Sequence, residues 1–391
     1  MGVDSQCMHN QQNYDLVVVG SGIVGLAHAY HAYQRGLTVA VVDHADKVTG
    51  ASVQNFGHAC ITAQSGEALE YARAGRRHWL DLSRAAGFWS RESGTHCVAR
   101  HEDEMAVLRQ FADSRGSSQT ELLDRDQILE RLPISADNVV GGIYMPLDLQ
   151  VDPRRAAPSI AEWLEKSGVD FYWRTAATSF DTGTVHTSRG DLHAGTIFVT
   201  VNVDVDRLFP EYAERGGLLR CRLHMMRARV DLPKPLPTPL FTGWSLLRYS
   251  GFEGLPAVAD VASRLSRQYP DYLALDLHQM YTPQPDGSIL IGDTHIRDIS
   301  TSPFQSEAGF DALITETKAM FGVDRIEITE RWQGVYSSAP DSEFLLVEPI
   351  PGVHVVTVTT GIGMTTSMGL AEAGLAQALP SRTATPIGID A

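Results

Sequence analysis

The chain has 391 residues, of which 43% are hydrophobic and 20% charged, and its formal net charge at pH 7 is −15. This length is enough for two domains with a large core, and the composition is that of an ordinary globular protein. The negative charge argues against nucleic acid or an anionic membrane surface as a partner. No run of about 18 or more apolar residues occurs, so no transmembrane helix is predicted.

The polar N-terminal segment, residues 1–13, lacks the basic start and apolar centre of a signal peptide, and we expect a disordered lead-in. The cysteines are far apart in the sequence and include no C-x-x-C pair: Cys7, Cys60, Cys97 and Cys221. A disulfide framework is therefore not expected, and no metal site is predicted. These features favour a cytoplasmic protein.

The first predicted elements form a β-α-β unit that ends in an acidic residue. The wholly apolar run Leu16–Val19 has no alternation, which is typical of a strand buried on both faces of a parallel sheet. A helix is predicted over Ile23–Arg35 and ends at Gly36. A second apolar run, Val39–Val42, is followed by Asp43. This order predicts a dinucleotide-binding unit.

Three glycines, Gly20, Gly22 and Gly25, follow the first strand in G-x-G-x-x-G spacing. Gly20 permits a tight turn, Gly22 lets backbone N–H groups approach a pyrophosphate, and Gly25 lets the helix pack closely on the strand. A diphosphate would lie at the positive end of the helix dipole. Asp43 would accept hydrogen bonds from a ribose and repel a 2′-phosphate, which disfavours an NADP-type ligand. The alternative is a purely structural glycine-rich turn.

The loop after the second strand contains small and polar residues where the chain would cross a bound nucleotide. Within it, Ser52 and Asn55 are candidate partners of phosphate or ring atoms, and a plain connecting loop is the alternative. His58, which follows Gly57, is more typical of a hydrogen-bonded structural histidine than of a catalyst.

The middle of the chain contains a second kind of architecture. Gly195–Val201 predicts one more buried strand of the nucleotide-binding sheet. Beyond it, Met280–Asp293 predicts a hairpin that turns at Asp286–Gly287, which is typical of an antiparallel sheet. A proline-rich turn, residues 233–239, precedes a strand-like run at Leu246–Tyr249.

The C-terminal part returns to the first architecture, and the strand-like run Ile326–Tyr336 is grouped with it. Val353–Val358 predicts a buried strand, after which the glycine-rich turn at Gly361 opens a helix that runs to about Leu379. A nicotinamide enzyme has no obvious use for this second helix N-terminus, whereas a reduced flavin carries negative charge near N1 and C2=O. The pattern therefore favours a flavin, and an NAD-binding protein without flavin chemistry is the alternative.

We predict an α/β fold with two domains. The first is a Rossmann-like FAD-binding domain with a parallel sheet, assigned to residues 14–80, 150–207 and 325–380. The second is an α+β substrate-binding domain with a largely antiparallel sheet, assigned to residues 81–149 and 208–324.

These motifs resemble the D-amino-acid oxidase/glycine oxidase/sarcosine oxidase superfamily of FAD-dependent enzymes over nearly the whole chain. The resemblance rests on an ordered set: the N-terminal fingerprint with Asp43, Ala51-Ser52…Gly57, Pro283…Asp286-Gly287…Ile291-Gly292-Asp293, Arg331-Trp332-Gln333-Gly334 followed by Asp341, and Gly361-Ile362-Gly363. It implies an oxidoreductase acting on CH–NH or CH–NH₂ bonds. Thr200–Asp204 stands where an Ala-Gly-rich turn is common, so the FAD contacts there are expected to differ.

The resemblance also bears on the substrate. Glycine-oxidase-like members carry an arginine just after the hairpin proline, which binds the substrate carboxylate, and here that position is Gln284. Three segments are similar to a bacterial branch associated with 2-aminoethylphosphonate breakdown: Ser52–His58, Cys221–Arg227 and Arg248-Tyr249. That likeness implies oxidation of 2-aminoethylphosphonate, or of its N-methyl derivative, to phosphonoacetaldehyde. A glycine, sarcosine or D-amino acid oxidase or dehydrogenase of the same fold is the alternative.

The implied reaction is hydride transfer from substrate to FAD, then hydrolysis of the imine to an aldehyde and an amine. Oxygen is the expected electron acceptor, giving hydrogen peroxide, and no protein base is needed if the amine binds deprotonated. Non-covalent FAD is expected, because no cysteine lies near Gly361 and because His58 follows Gly57 where the histidyl-linked pattern has the histidine first. The oligomeric state is left open.

The patterns and the resemblance together yield two sets of candidate site residues. Cofactor-binding candidates are Gly20, Gly22, Ile23, Val24, Gly25, Asp43, His44, Ser52, Asn55, Gly57, His58, Ala177, Gly361, Ile362, Gly363, Met364 and Thr365. Substrate-binding candidates are Arg248, Tyr249, His224, Arg222, Gln284, Trp332 and Tyr336. Of these, the two arginines are the candidates for a phosphonate, and a solvent-facing strand position is their alternative.

Overall fold

The computed structural model describes residues 13–379. Residues 1–12 and 380–391 lie outside the described residues. The predicted disordered lead-in therefore also lies outside them, apart from Asn13, with which the first strand begins.

The strands of the described residues are numbered in chain order: β1 Asn13–Val19, β2 Val39–Val42, β3 His58–Ala59, β4 Ser90–Arg91, β5 Thr95–Ala99, β6 Glu121–Asp124, β7 Gly141–Met145, β8 Leu149–Val151, β9 Asp170–Tyr172, β10 Ala177–Asp181, β11 Thr184–Thr187, β12 Gly190–Val199, β13 Leu219–Arg229, β14 Leu240–Phe241, β15 Met280–Pro283, β16 Ile289–Gly292, β17 Ile296–Asp298, β18 Glu327–Ser338, β19 Phe344–Ile350 and β20 Val353–Val358.

The helices are numbered likewise: α1 Ile23–Gln34, α2 Gly66–Ala86, α3 Glu102–Arg115, α4 Arg125–Arg131, α5 Pro153–Lys166, α6 Val205–Leu208, α7 Pro210–Arg215, α8 Val258–Gln268, α9 Pro270–Ala274, α10 Glu307–Phe321 and α11 Gly363–Ala378. Short 3₁₀ helices lie at Gly50–Ser52, Asn202–Asp204 and Gly243–Leu247.

Eight strands form the first sheet, in the order β10-β11-β12-β1-β2-β9, with β20 beside β12 and β19 beside β20. As the apolar run predicted, β1 pairs in parallel with both β2 and β12. Its alternate side chains enter two different cores: Leu16 and Val18 pack in the core that contains Trp79, whereas Val17 and Val19 pack on the opposite face. The strand is therefore buried on both faces.

The C-terminal helix α11 is attached to two N-terminal helices on one face of this sheet. Nε1 of Trp79 in α2 donates to the backbone carbonyl of Met364, 2.9 Å away. Nε2 of His31 in α1 donates to the carbonyl of Met368, also at 2.9 Å. The last helix therefore completes a layer that the first helix begins.

Nine strands form the second sheet, in the order β17-β13-β16-β15-β14-β5-β7-β6, with β18 also paired to β13. Its pairs are antiparallel except for β5 with β14. The hairpin of β15 and β16 turns at Asp286–Gly287 as predicted, and Gly287 has a φ of 81°. Together the parallel and antiparallel sheets confirm the predicted mixed α/β fold class.

One strand pairs in the second sheet, although the sequence analysis grouped it with the nucleotide-binding part. Glu327–Ser338, assigned to the nucleotide-binding part, pairs with β13 along the length of that strand, from Leu219 to Arg229. Its backbone hydrogen bonds therefore hold it in the second sheet. The domain limits themselves remain a prediction.

Candidate active site

A cavity of about 500 Å³ is lined by residues of both large sheets. At one end it touches Gly20, Asp43 and Thr200, which follow the carboxyl ends of β1, β2 and β12. At the other end Met280 and Tyr336 of the second sheet form part of its wall. Ligands of open α/β sheets bind outside the carboxyl ends of the parallel strands, so this cavity is the candidate active site.

Most of the predicted cofactor-binding residues line this cavity: Gly20, Gly22, Ile23, Val24, Asp43, His44, Ser52, Asn55, Ala177, Gly361, Ile362, Gly363 and Met364. They come from the loops that follow β1, β2, β9 and β20 and from the starts of the elements that those loops lead into. The segment Thr200–Asp204, where the sequence departs from the family pattern, also lines it.

Four predicted cofactor residues lie outside the cavity lining, each with a structural role of its own. A Cβ on Gly25 would lie 2.0 Å from the carbonyl oxygen of Gly20, and one on Gly57 would lie 2.1 Å from that of Val151. Both glycines therefore permit close packing of backbone on backbone.

The other two such residues are held by hydrogen bonds in the protein interior. Nε2 of His58 lies 2.6 Å from Oγ1 of Thr95, and the residue is 7% exposed. The hydroxyl of Thr365 accepts from the backbone N–H of Cys60 at 3.0 Å. His58 is thus a buried histidine held through Nε2, whereas its Nδ1 has no hydrogen-bond partner among residues 13–379.

The carboxylate of Asp43 is fixed at the end of β2 by the glycine-rich loop. Its Oδ2 accepts from the backbone N–H of Ser21 at 2.7 Å and from the Ser21 hydroxyl at 2.6 Å, and its Oδ1 accepts from the N–H of Ala45 at 2.8 Å. Across the same turn, Oγ of Ser52 accepts from the N–H of Ile23 at 2.8 Å. The serines therefore hold the first turn of α1 and the acidic strand end together beside the cavity.

The cavity fits a dinucleotide that carries a flavin, because two helix N-termini face it. The N-cap residue of neither α1 nor α11 bonds its helix through a side chain, and neither first turn contains an acidic residue, although at α1 the N–H of Ile23 is bonded to Ser52. Uncapped N–H groups at the positive end of a helix are available to an anion. A Cβ on Gly363 would meet no atom within 4 Å, so the backbone at α11 borders open space. The pyrophosphate would lie at α1 and the electron-rich edge of the flavin at α11.

On the substrate side, Arg248 lines the cavity, and the element that precedes it is not the one that the sequence predicted. The predicted strand at Leu246–Tyr249 is wrong, because Gly243–Leu247 is a short 3₁₀ helix. Thr242 and Ser245 cap this helix reciprocally, and Arg248 follows its end. Nη2 of Arg248 donates to the hydroxyl of Tyr336 at 2.9 Å and to the carbonyl of Thr360 at 2.8 Å.

Tyr249 and Tyr336 also line the cavity, as predicted substrate residues. Burial raises the pKa of both phenols, so both carry their proton at neutral pH. The ring of Tyr249 stacks on Phe241, with the ring centroids 4.9 Å apart, and its hydroxyl lies 3.8 Å from the sulfur of Met280. These contacts leave an aromatic wall beside the Arg248 guanidinium.

The remaining four predicted substrate residues lie outside the cavity lining. Arg222 donates from Nη1 to the backbone carbonyls of Ser302 and Phe304. In His224, Nδ1 lies 2.7 Å from Oγ1 of Thr294 and Nε2 lies 3.0 Å from the carbonyl of Ser306. Both belong to β13, whose intervening residue Leu223 does line the cavity.

Gln284 and Trp332 are likewise engaged elsewhere. Nε2 of Gln284 lies 3.3 Å from the carbonyls of both Thr282 and Pro283, within its own hairpin. Nε1 of Trp332 donates to the carbonyl of Gln54 at 3.0 Å. The side chain of Gln284 therefore does not line this cavity.

Three polar residues of the cavity were missed by the sequence analysis: His278, Asp293 and His295. Oδ1 of Asp293 lies 3.0 Å from Nδ1 of His278, and Oδ2 lies 3.5 Å from Nε2 of His295. Asp293 closes the hairpin motif quoted for the family resemblance, and a histidine on each side of that hairpin was the available signal.

The two sheets, the fixed acidic strand end and the shared cavity define a nucleotide-binding oxidoreductase fold. A solved structure of glycine oxidase from Geobacillus kaustophilus superposes with a TM-score of 0.76 at 18% identity, covering 96% of each chain. This likeness is one of fold.

Sequence relatives match over a shorter range. D-amino acid dehydrogenase of Helicobacter pylori strain J99 is 23% identical over 220 residues, which cover 43% of this chain and 53% of the relative. Glycine oxidase of Bacillus licheniformis is 24% identical over 181 residues, covering 44% and 48%. The chain thus spans about half the length of the curated relatives it matches.

The model of the family described as "FAD dependent oxidoreductase" matches residues 15–376. The chain belongs to this family, and FAD is its cofactor. Within residues 13–379, no helix combines the length and apolar character that crossing a membrane requires.

Proposed function

We propose that the chain oxidises a C–N bond in a small amine that carries an anionic group, with 2-aminoethylphosphonate or its N-methyl derivative as substrate and phosphonoacetaldehyde as product. The observation that carries this proposal is Arg248, whose guanidinium lines the cavity next to the α11 side. Bound FAD would supply the two-electron oxidation of the C–N bond. Oxygen is the proposed electron acceptor, and FAD attachment is proposed to be non-covalent.

Arg248 suits a phosphonate because one edge of its guanidinium is already fixed. Tyr336 and the carbonyl of Thr360 both accept from Nη2, and no hydrogen bond within residues 13–379 engages Nη1 or Nε. A held guanidinium presents its remaining N–H groups in a planar fork that matches the oxygens of a phosphonate or carboxylate. Of the two arginines considered for the phosphonate, Arg222 instead binds carbonyls outside the cavity.

The chain's own residues would orient the amine and keep water out. Tyr249 and Met280 form an apolar wall beside Arg248, and Tyr336 fixes the guanidinium against the glycine-rich turn before α11. An anion held there would bring the C–N bond of a short amine toward the flavin side of the cavity. Exclusion of water strengthens the Arg248–anion attraction.

An α-amino acid oxidase or dehydrogenase is the second candidate, favoured by a specific observation. The fold is shared with a glycine oxidase, and Arg248 offers the same fork to a carboxylate. In this reading Arg248 replaces the hairpin arginine that is absent at Gln284. The two candidates differ in the anion and share the oxidation of a C–N bond.

Anaerobic titration of the purified protein tests the proposal, with the visible flavin band as readout. 2-Aminoethylphosphonate and its N-methyl derivative are expected to bleach the band, and glycine, sarcosine and D-alanine are not. Bleaching by amino acids alone would favour the second candidate. Failure of all of them to bleach the band would contradict the proposed C–N oxidation.

Two arginine variants sharpen this test. Arg248→Gln is expected to raise the substrate concentration needed for bleaching about 100-fold, because it removes a charged anchor from a desolvated site. The matched variant Arg222→Gln is expected to leave that concentration unchanged. Equal effects of the two substitutions would contradict the assignment of Arg248.

A further inference from the structure

Two opposite charges face the same cavity without pairing with each other. Arg248 and Asp293 both line it, and no ion pair within 4.0 Å joins them among residues 13–379. Asp293 is only 4% exposed. A buried carboxylate and a guanidinium that remain apart leave room for a ligand that carries both complementary charges.

Asp293 is held in a fixed orientation that leaves one oxygen for the cavity. Its Oδ1 accepts from Nδ1–H of His278 at 3.0 Å, and the backbones of the two residues exchange hydrogen bonds at 2.6 and 2.8 Å. Nε2 of His278 lies 3.1 Å from the hydroxyl of Ser245, so the second ring nitrogen is also engaged. The carboxylate therefore has little freedom to turn, and Oδ2 is the oxygen that His278 does not use.

His295 presents a second acceptor to the same point. Its Nδ1 lies 3.0 Å from the backbone carbonyl of Asp276, and since a carbonyl only accepts, Nδ1 carries the proton. In the neutral ring, Nε2 then has a lone pair, 3.5 Å from Oδ2 of Asp293. Oδ2 of Asp293 and Nε2 of His295 are thus two neighbouring acceptors, and no donor among the described residues bonds to both of them.

The charge states at neutral pH agree with this geometry. Burial lowers the pKa of His295 to about 4, so the ring is neutral. Burial alone would raise the pKa of Asp293, but His295, the hydrogen bond from His278 and the charge of Arg248 together hold it below its usual range. His278, Arg248 and Asp276 are the other titratable groups that act on this pair.

We propose that Oδ2 of Asp293 and Nε2 of His295 form a binding site for the ammonium group of the substrate, opposite the anion-binding guanidinium of Arg248. An ammonium group donates two or three N–H bonds, and the two acceptors take them while Asp293 supplies the compensating charge. This inference rests on the proposed function and narrows its substrate class to zwitterions, in which a primary or secondary amine lies a short distance from an anion. The amine then binds as the cation, in contrast to the expected deprotonated amine, and must release one proton to one of these two acceptors before its C–N bond is oxidised.

The other carboxylates of the cavity cannot take this role, because they lie at its nucleotide end. Asp43 is bonded to Ser21 and Ala45 beside the glycine-rich loop. Asp204 belongs to the short helix after β12 and lies 3.4 and 3.6 Å from Arg207 and Arg220. Among the described residues of the lining, Asp293 is therefore the carboxylate available to a substrate amine.

The test compares a zwitterion with its anion-only analogue, 2-aminoethylphosphonate with ethylphosphonate, in wild type and Asp293→Asn. The asparagine can still accept from His278 through its oxygen and donate to His295 through its nitrogen, so the fold is expected to be retained. Binding is followed by the concentration dependence of anaerobic flavin reduction and by the shift of the flavin band that the unreactive analogue causes. Asp181→Asn, in an exposed Asp–His pair with His186, is the matched control.

In Asp293→Asn the dissociation constant of the zwitterion is expected to rise about 100-fold at pH 7, since a desolvated charge partner is removed. The constant for ethylphosphonate is expected to stay within about twofold of wild type, and Asp181→Asn is expected to change neither. His295→Gln keeps the carboxylate of Asp293 and is expected to raise the dissociation constant of the zwitterion about tenfold. If Asp293→Asn does not retain flavin, this second variant tests the ammonium site in its place.

Two results would overturn the ammonium site: unchanged affinity for the zwitterion, or an equal loss for both ligands, which indicates general disruption. Failure of the proposed function is a separate result. In that case no amine reduces the wild-type flavin, and the ammonium site is still decided by the spectral shifts that the two phosphonates cause.

Discussion

The hydroxyl of Ser245 lies 3.1 Å from Nε2 of His278, and this contact joins the two halves of the candidate substrate site. The same hydroxyl accepts from the backbone N–H of Thr242 at 3.3 Å and so caps the 3₁₀ helix that ends at Arg248. His278 in turn orients Asp293. One serine therefore holds both the arginine proposed to bind the anion and, through His278, the carboxylate proposed to bind the ammonium group.

Replacing this serine is expected to weaken substrate binding although Ser245 touches no substrate. In Ser245→Ala, the turn before Arg248 loses its cap and His278 loses a partner, so the substrate dissociation constant rises about tenfold, equivalent to about 1.4 kcal/mol. Anaerobic flavin titration measures this. The control is Ser266→Ala, because Ser266 is exposed on α8, does not line the cavity, and donates its hydroxyl to a carbonyl of the same helix. Equal constants in the two variants would contradict the linkage.

Tyr336→Phe is expected to loosen Arg248 while the aromatic wall stays in place. The variant removes the hydroxyl that accepts from Nη2 of Arg248, so part of the fork is no longer held. Affinity for the anionic substrate is expected to fall about fivefold to tenfold, for the loss of one hydrogen bond to a charged group, with flavin content unchanged. Tyr71→Phe, whose hydroxyl bonds to exposed Glu67, is the control. An unaltered affinity in Tyr336→Phe would indicate that the hydroxyl does not position Arg248.

Gly25 and Gly363 lie near the starts of α1 and α11, and replacement by alanine is expected to destabilise the protein at the first position but not at the second. In Gly25→Ala the new methyl group would lie 2.0 Å from the Gly20 carbonyl and 2.6 Å from Oγ1 of Thr200, so α1 must move off the sheet. The thermal midpoint is expected to fall by several degrees, for a loss of about 3 kcal/mol. In Gly363→Ala the methyl group meets nothing, so the midpoint of the flavin-free protein is expected to stay the same.

The same pair also tests the position of the cofactor. Gly363 lines the cavity and a methyl group there meets no protein atom, so Gly363→Ala is expected to retain less FAD after gel filtration than wild type, despite its unchanged fold. Absorbance of the flavin band per protein measures the retention. Full retention of FAD together with an unchanged midpoint would place the flavin away from α11.

Buried histidines are expected to destabilise the protein as the pH falls. The pKa of His28 is lowered by burial from 6.5 to about 4, so between these values the unfolded chain binds the proton that the native state refuses. The free energy of unfolding therefore falls as the pH is lowered through this window, by up to about 3 kcal/mol for this group. In His28→Leu that part of the pH dependence is expected to disappear.

Chemical denaturation at pH 7 and pH 4.5 measures this difference. His186 is the control, because its two aspartate partners raise its pKa and it is exposed on β11. His186→Gln is therefore not expected to flatten the pH dependence. A steeper fall in His28→Leu than in wild type would contradict the assignment of the effect to His28.

The flavin is expected to leave the protein on denaturation. No cysteine among residues 13–379 lines the cavity, and the ring of His58 is bonded to Thr95 instead of facing it. After acid precipitation, the yellow colour should be found in the supernatant. Colour that remains with the pellet through washing would indicate a covalent bond and contradict the prediction.

Local signals in the sequence were sufficient for the nucleotide end of the cavity. Gly20, Gly22 and Asp43 are close in sequence to the elements they serve, so spacing alone predicts their meeting. The substrate end is assembled from residues far apart: Arg248 follows one turn, Asp293 ends a hairpin, and Tyr336 lies on a strand of the same sheet. Their meeting depends on sheet topology, which no local pattern contains.

The position of Arg222 and His224 outside the cavity lining has a simple physical cause. Neighbouring side chains of a strand point to opposite faces, so a strand on a cavity wall presents every second residue to the cavity. Arg222 and His224 were selected from the sequence for their chemistry, and the apolar Leu223 between them is the residue that lines the cavity. Alternation is readable from sequence, but which set of positions faces the ligand is decided by packing.

The completion of the first layer by α11 has a consequence for biosynthesis. The glycine-rich loop at Gly20 leaves the ribosome well before the helix start at Gly363 does. Trp79 and His31 meet their carbonyl partners on α11 only at that stage. A nascent chain can therefore fold its first β-α-β unit early, but firm capture of the cofactor must wait until α11 has been synthesised.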